Sequence, residues 1–400
     1  MNVIGVVCEY NPFHRGHLLH LERCRAALEG EGAVLCVLSG DFVQRGEAAV
    51  YDKFIRAEAA CRCGADLVIE LPLPWALSSA EGFARGAVGL LGALGATHLG
   101  FGSETGETAP LRELALALLE EDTLEQIREL MASEGNLSFA AARERVLTER
   151  LGEKALLLRN PNDILAVEYL KAAAEQKLSL RPLAVLREGA GHDEAGAGEG
   201  PCSASELRRR LRAGESLEGE IPEAAEAVYD RARAEGRELR DPGLLEIAVL
   251  SRLRMLERDA FERLPDGGEG LGLRLWKAVQ EEGRLEEIAQ AAKSKRYALA
   301  RLRRMCLAAA LGLEKDSAKG LPPYARVLAF SERGQKLLGE LDGSAIPLLT
   351  KPAQVRQMGE RAERVFCLGA GAHDLYTLGL PARFSPGEDW RRGPARITDH

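Results

Sequence analysis

Gly5-Val6-Val7-Cys8-Glu9-Tyr10-Asn11-Pro12-Phe13-His14-Arg15-Gly16-His17 runs from an apolar segment into the start of a periodic one, and its reading decides the fold. Val3 to Val7 are apolar enough for a buried parallel strand, and Leu18 to Leu28 read as an amphipathic helix, so the residues between form a strand-to-helix turn. Unpaired backbone N–H groups at a helix start favour anions. Gly16 removes a side chain where a phosphate could approach, and His14 and His17, three apart, share a side if the helix begins between them. Imidazoles placed there could donate hydrogen bonds to a triphosphate and to charge growing on phosphorus. Two surface histidines beside an incidental glycine would look the same in so short a motif.

Outward from this turn the first half alternates. Strand-like Asn2–Cys8, Val34–Leu38, Leu67–Leu71 and His98–Phe101 are separated by helical patterns after Gly16, near Asp52–Cys63 and near Ser79–Leu94. That alternation predicts an α/β fold with a parallel sheet, whose ligands sit at the carboxyl ends of the strands. Helical patterns fill Leu111–Leu151 and Pro161–Glu175, Leu180–Leu186 reads as a further strand, and Gly189–Gly200 is glycine-rich. From about Ile221 the chain is rich in Glu, Arg, Ala and Leu, which predicts a mainly helical second half. We place the domains at 1–215 and 216–400, with no repeat of fixed period.

The 400 residues, 46% hydrophobic, are enough for two or three domains with ample core. No apolar run reaches the ~20 residues that span a bilayer, and no secretory signal pattern opens the chain, so a cytoplasmic location is the expectation and no membrane is implied. The eight cysteines are scattered, and Cys61-Arg62-Cys63 has the wrong spacing for a zinc knuckle, so they read as reduced packing residues. A net charge of −8 argues against nucleic-acid binding through overall charge. One local patch stands against that average. Lys293, Lys295, Arg296, Arg301, Arg303 and Arg304 follow one another with no acidic residue among them and Tyr297 interleaved. This is either a solvated basic helix face or a contact surface for an RNA backbone.

Other segments carry weaker signals. Ser203 and Ser205 open a predicted helix that contains Arg208, either as ordinary caps or as a second phosphate clamp. Gly102 falls just past a strand, Asn162 sits in a helix-start signal and could pair with a base edge, and Arg187 could reach phosphate or ribose. Ser39-Gly40-Asp41-Phe42-Val43-Gln44-Arg45-Gly46-Glu47 reads as a binding loop on the same rim or as a solvated connection.

With these segments in view, the chain resembles the bacterial tRNA(Met) cytidine acetate ligase family, a branch of the nucleotidyltransferases marked by an H/T-x-G-H signature. The matches run in order through Cys8 to His17, Ser39 to Glu47, Gly64-Ala65-Asp66-Leu67-Val68-Ile69-Glu70-Leu71-Pro72, Phe101-Gly102-Ser103-Glu104, Pro161-Asn162-Asp163-Ile164-Leu165 and Arg187-Glu188-Gly189-Ala190-Gly191. They cover roughly the first 210 residues, and the region around Lys295–Arg304 more weakly. The resemblance implies a Rossmann-like nucleotidyltransferase sheet followed by a mainly helical domain. It also implies an enzyme that activates acetate with ATP as acetyl-adenylate and then acetylates N4 of the wobble cytidine of elongator tRNA(Met).

By the same resemblance, Val7, Cys8, Glu9, Tyr10, Asn11, Pro12, Phe13, His14, Arg15, Gly16, His17, Leu18, Leu19 and His20 cradle ATP, with His14 and His17 as the catalytic signature pair, and Gly102, Asn162 and Arg187 complete the nucleotide contacts. Ser203-Ala204-Ser205-Glu206-Leu207-Arg208 resembles the family's Ser-Ala-Thr-x-Ile-Arg segment, with serine for threonine at 205 and leucine for isoleucine at 207; Ser203, Ser205 and Arg208 are assigned to pyrophosphate. The loop after Gly191 departs from the pattern with His192-Asp193-Glu194 and added glycines. Lys295, Arg296, Arg301 and Arg304 are the expected tRNA platform. Mg²⁺ commonly accompanies ATP, but no dedicated carboxylate cluster is evident, and the oligomeric state is open. Two other readings stand beside this one: an adenylyltransferase acting on a small metabolite or cofactor precursor, and a non-catalytic RNA-binding protein on a degenerate nucleotide fold.

Overall fold

A computed structural model describes residues 1–28, 31–135, 137–187, 202–341 and 343–398. The glycine-rich stretch 189–200, with His192-Asp193-Glu194 and the Glu188 to Gly191 part of the last matching segment, lies outside the described residues.

Seven strands line up in the order β10-β8-β5-β2-β1-β6-β7, where β1 is Asn2–Cys8, β2 Gly32–Ser39, β5 Leu67–Leu71, β6 His98–Ser103, β7 Arg181–Leu186, β8 Ala325–Phe330 and β10 Ala395–Arg396. A short β9 (Leu348–Leu349) adds to β8, and β3 (Phe42–Val43) with β4 (Glu47–Ala48) forms a separate antiparallel hairpin. Every pairing in the main sheet is parallel except β5 with β8. Within β2, Ala33, Leu35 and Val37 enter one hydrophobic cluster and Val34, Cys36 and Leu38 the other, which is what a strand covered on both faces requires.

The chain leaves β1 toward β2 and β5 on one side and returns to β6 and β7 on the other. The order therefore reverses between β1 and β6, and a crevice opens there at their carboxyl ends. Fold topology alone thus selects the turn after Cys8 as the place for a ligand.

The second half is helical as expected from 243 to 311, where Leu253, Phe261, Leu275 and Leu302 fill a third core. Segments beyond the expected division at 215/216 pack into the first half. Helix Glu223–Ala234 lies on helix Lys53–Arg62, with Tyr229 stacked on Tyr51 at 4.2 Å and its hydroxyl accepting the Phe13 N–H at 2.9 Å. Strand β8 then joins the sheet beside β5. Its Arg326 reaches Glu70 and Asp389 in the interior.

Two junctions hold the helical part against the sheet. At Gly46, with φ of 78°, a Cβ would stand 2.6 Å from the Arg304 backbone nitrogen, so the hairpin meets helix Leu299–Leu311 backbone to backbone and only glycine fits. On the β5 side, Lys53 Nζ donates to Glu70 at 2.8 Å and Asp389 at 2.7 Å, while His373 bridges Asp41 at 2.9 Å and Glu388 at 3.2 Å. Charges this deep persist only when paired. Here each has a partner of opposite sign, which ties residues 373–389 to the loop after β2.

Candidate nucleotide cleft

Helix Arg15–Ala26 begins between the two histidines, with His14 as its N-cap in extended conformation. Tyr10, at φ of 46°, is a non-glycine residue in the left-handed region, a cost of about 1–3 kcal/mol that clusters at functional sites. It swings the chain sharply out of β1 into the turn.

Pairing at the helix start decides what His14 and His17 can do. His14 Nδ1 accepts the Gly16 N–H at 3.1 Å, and His17 Nδ1 accepts the His14 N–H at 3.4 Å. A neutral imidazole whose Nδ1 is an acceptor carries its proton on Nε2. Burial, reinforced by the Arg187 and Arg208 charges, holds His14 down at about 3. For His17 burial again leads, followed by His14 and Arg187, and it too is held well below its ordinary value. The rings lie 3.8 Å apart. They form a paired, uncharged donor set.

The expectation of free backbone N–H groups at this helix start is corrected. Arg15 N–H donates to the Glu220 carbonyl at 3.0 Å, Gly16 N–H to His14 Nδ1, and His17 N–H to the His14 carbonyl at 2.9 Å. Open backbone donors are found across the cleft instead. Ser203 caps helix Ala204–Ala213 by accepting the Glu206 N–H at 3.2 Å, and the Ala204 and Ser205 N–H groups have no partner among the described residues. Arg208 spans the gap, donating to the Asn11 carbonyl at 2.9 Å and the Ser205 hydroxyl at 3.3 Å.

The cleft brings together Val7, Cys8, Glu9, Tyr10, Asn11, His14, Gly16, His17, Leu19, His20, Gly102, Asn162, Arg187, Ser203, Ser205 and Arg208. Four members of the expected cradle do not line it. Phe13 is fully buried in the core, Pro12 faces the far side beside Tyr229, Arg15 is exposed, and Leu18 packs against the second hydrophobic cluster. For Arg15 and Leu18 the reason is geometric: they lie on faces of helix Arg15–Ala26 turned away from the cleft.

Gly102 opens the β6 end of the crevice, where a Cβ would come no closer than 3.5 Å to Arg187, so its absence leaves space for a ligand. Asn162 is fixed by Glu104, which accepts from both its side-chain amide at 2.5 Å and its backbone N–H at 3.3 Å. Ser103 and Asp163 hold the same junction, 2.5 Å apart. The side-chain oxygen of Asn162 is thereby left to accept.

Gln44 and Arg45 come from the hairpin, within the Ser39–Glu47 segment read as a binding loop; Phe83, Leu165 and Tyr169 come from helices and were not singled out as site residues. The basic segment behaves differently from its expectation. Arg304 is buried, donating to the Gln44 carbonyl at 3.3 Å, so it supports the hairpin and presents no charge to solvent. Arg296 pairs with Glu269 at 3.2 Å, Arg301 with the Asp266 carbonyl at 2.9 Å, and Arg303 with Glu286 at 2.9 Å. Lys295 is exposed. Among the described residues no group of three or more His, Cys, Asp or Glu could hold a metal, and no helix is long and apolar enough to cross a membrane.

A parallel sheet with paired histidines at its switch point defines the class of HIGH nucleotidyltransferases, and the sequence model of the HIGH Nucleotidyl Transferase family matches residues 1–388. Relatives narrow this further. The tRNA(Met) cytidine acetate ligase of Syntrophomonas wolfei is 36% identical, covering 100% of both chains, and that of Syntrophotalea carbinolica is 37% identical over 91% of this chain and 89% of its own. Thermotoga maritima TmcAL superposes with a TM-score of 0.93 in its apo form and 0.90 in a form bound with alpha-thio ATP, at 30% identity and 100% coverage of both chains. The chain belongs to the tRNA(Met) cytidine acetate ligase family of HIGH nucleotidyltransferases.

Proposed function

We infer that the cleft binds ATP, adenylates acetate with release of pyrophosphate, and passes the acetyl group to N4 of the wobble cytidine of elongator tRNA(Met). The protein is an ATP-dependent ligase of tRNA cytidine, as its membership of the family requires. The observation that carries the assignment of roles is the pair of Nε2–H donors on one wall facing the open Ala204 and Ser205 N–H groups and Arg208 on the other.

Acetate is a weak nucleophile, so the first step depends on alignment of its oxygen with the α-phosphorus and on charge drained into the leaving group. His14 and His17 donate to the phosphoryl oxygens in the transition state. Being neutral at physiological pH, they supply N–H dipoles whose protonation state does not change there. Ser203, Ser205 and Arg208 take the pyrophosphate, Asn162 accepts from the base, and Arg187 sits between the two ends. Mg²⁺ would arrive on the phosphates and neutralise part of their charge.

In the second step the cytidine must turn out of its stack to reach the mixed anhydride. The tRNA approaches over the helical part, where Lys295, Arg296 and Arg301 are among the exposed or partly exposed cations of the basic segment. An ATP–pyrophosphate exchange assay with and without acetate, followed by transfer of labelled acetyl to tRNA(Met) transcripts, tests this reading. Acetate-dependent exchange and label on the tRNA are expected. Exchange that requires another acceptor would replace it with a metabolite adenylyltransferase, and no exchange would reduce the protein to an RNA binder.

A further inference from the structure

Acetyl transfer has a proton to dispose of, and the cleft holds one carboxylate among its described lining residues: Glu9. When N4 attacks the carbonyl carbon, a C–N bond forms and the carbonyl pair moves onto oxygen. A proton must then leave the nitrogen before the C–O bond to AMP breaks.

His14 and His17 cannot take that proton in the arrangement described. Each Nδ1 lone pair already accepts a backbone N–H, and each Nε2 already carries hydrogen. A second proton on either ring would break the cap of helix Arg15–Ala26 and add a cation beside Arg187 and Arg208. Cys8 and Tyr10 are buried, the thiol directed to the Val37 carbonyl and the hydroxyl to Cys36. Arg45, Arg187 and Arg208 are cations without an acceptor.

Glu9 differs from all of these. Its main chain is pinned by Arg56, which donates to the Glu9 carbonyl at 2.5 Å, and its Oε1 accepts the Gln44 N–H at 2.8 Å. Its Oε2 has no hydrogen-bond partner among the described residues. One oxygen is anchored and the other is open to the cleft, at the carboxyl end of the central strand.

The geometry points to Glu9 as the proton acceptor in acetyl transfer, through Oε2, an inference that rests on the ligase reading above. Glu9 takes the proton from the attacking nitrogen, the oxygen pair re-forms the C=O bond, and AMP leaves with the electrons of the broken C–O bond. The proton passes to solvent when the products depart. The groups facing Glu9 from every packed element fit the task. Arg56 from helix Lys53–Arg62, Arg45 from the hairpin and Arg208 from helix Ala204–Ala213 favour its ionised form, Tyr169 from helix Pro161–Glu175 is neutral, and burial outweighs the guanidinium groups and raises its affinity for a proton. A carboxylate of raised basicity is a better acceptor than a free one.

The test separates the two half-reactions in the full-length protein. Glu9→Gln keeps an oxygen to accept the Gln44 N–H and removes the base. We expect single-turnover acetyl transfer from bound acetyl-adenylate to tRNA to fall by about 10²–10⁴-fold, and by at least about 100-fold more than acetate-dependent ATP–pyrophosphate exchange. In the unsubstituted enzyme the transfer rate rises with pH through one ionisation on the acid side. Glu9→Gln abolishes that limb, and Glu9→Asp retains it at lower amplitude. Parallel losses in exchange and transfer, or an acid limb that survives Glu9→Gln, would overturn the assignment. Exchange that never depends on acetate in the unsubstituted protein would overturn the ligase reading itself.

Discussion

His14 and His373 are both nearly sealed from solvent, at 4% and 0% relative exposure, yet their surroundings drive them in opposite directions. His14 is held at about 3 by burial next to Arg187 and Arg208, whereas His373 is raised to about 10 because Asp41 and Glu388 outweigh its burial. Around His373 every formal charge is answered: Lys53, Arg326, Arg237, Arg392 and the imidazolium against Glu70, Asp389, Asp41, Asp52 and Glu388. The cleft, by contrast, is lined among the described residues by three guanidinium groups, three neutral imidazoles and one carboxylate. A saturated network has nothing left to offer a ligand and acts to hold the chain together. An unbalanced one is completed by the anion it binds. Neutrality also matters for the histidines themselves, since a donor that never titrates in the working range keeps its strength there.

The largest effect is expected where the contrast is erased on the cleft side. A His14→Ala/His17→Ala variant that retains its fold by circular dichroism should lose about 10³-fold or more in acetate-dependent exchange, because removing one such donor typically costs 10²–10³. Undiminished acetyl-adenylate formation would dismantle the assignment of the cleft. On the other side, Lys53→Met leaves Glu70 and Asp389 facing Arg326 alone, and breaking a buried pair costs about 3–5 kcal/mol. Chemical denaturation should register a loss of that order, and a change below about 1 kcal/mol would show that the network relaxes freely.

A pH series sharpens the comparison. His373 binds its proton more tightly folded than unfolded, so its contribution to stability is complete below about 6.5 and is lost as pH rises through about 10. Urea midpoints should decline over that window, and His373→Gln should flatten the decline. His14, being depressed, should contribute no matching feature to the exchange rate between pH 6 and 8. The smallest effect belongs to the surface. Charge reversal at Arg296 and Arg301, each already paired with an acidic neighbour, should weaken tRNA binding by roughly tenfold or less and lower its salt dependence, as expected for lost phosphate contacts. Adenylation should be spared. Unchanged tRNA affinity would remove this segment from the platform.

Much of the first half was legible in the chain. Alternating apolar runs such as Val34–Leu38 and Leu67–Leu71 are strands because both their faces are covered, and the turn between Cys8 and Arg15 could be placed from them. Strand Ala325–Phe330 was not legible. Six residues with an arginine at the second position, set among helical neighbours, carry no periodicity of their own, and Arg326 is tolerated there only because Glu70 and Asp389 are waiting. The same holds for Arg304. Next to Arg301 and Arg303 in a basic run it reads as surface, but the close approach of Gly46 turns it inward to the Gln44 carbonyl.

The sequence by itself determined the parallel strands of the first half and the residue types gathered at the end of the first of them, because these depend on local periodicity and on short motifs. Tertiary structure alone decided which of those residues face the cleft, which imidazole nitrogen carries the proton, and which charges are spent on holding the fold. Those properties arise from contacts between segments tens to hundreds of residues apart, such as Gln44 with Glu9 and His373 with Asp41, and no pattern along the chain records them.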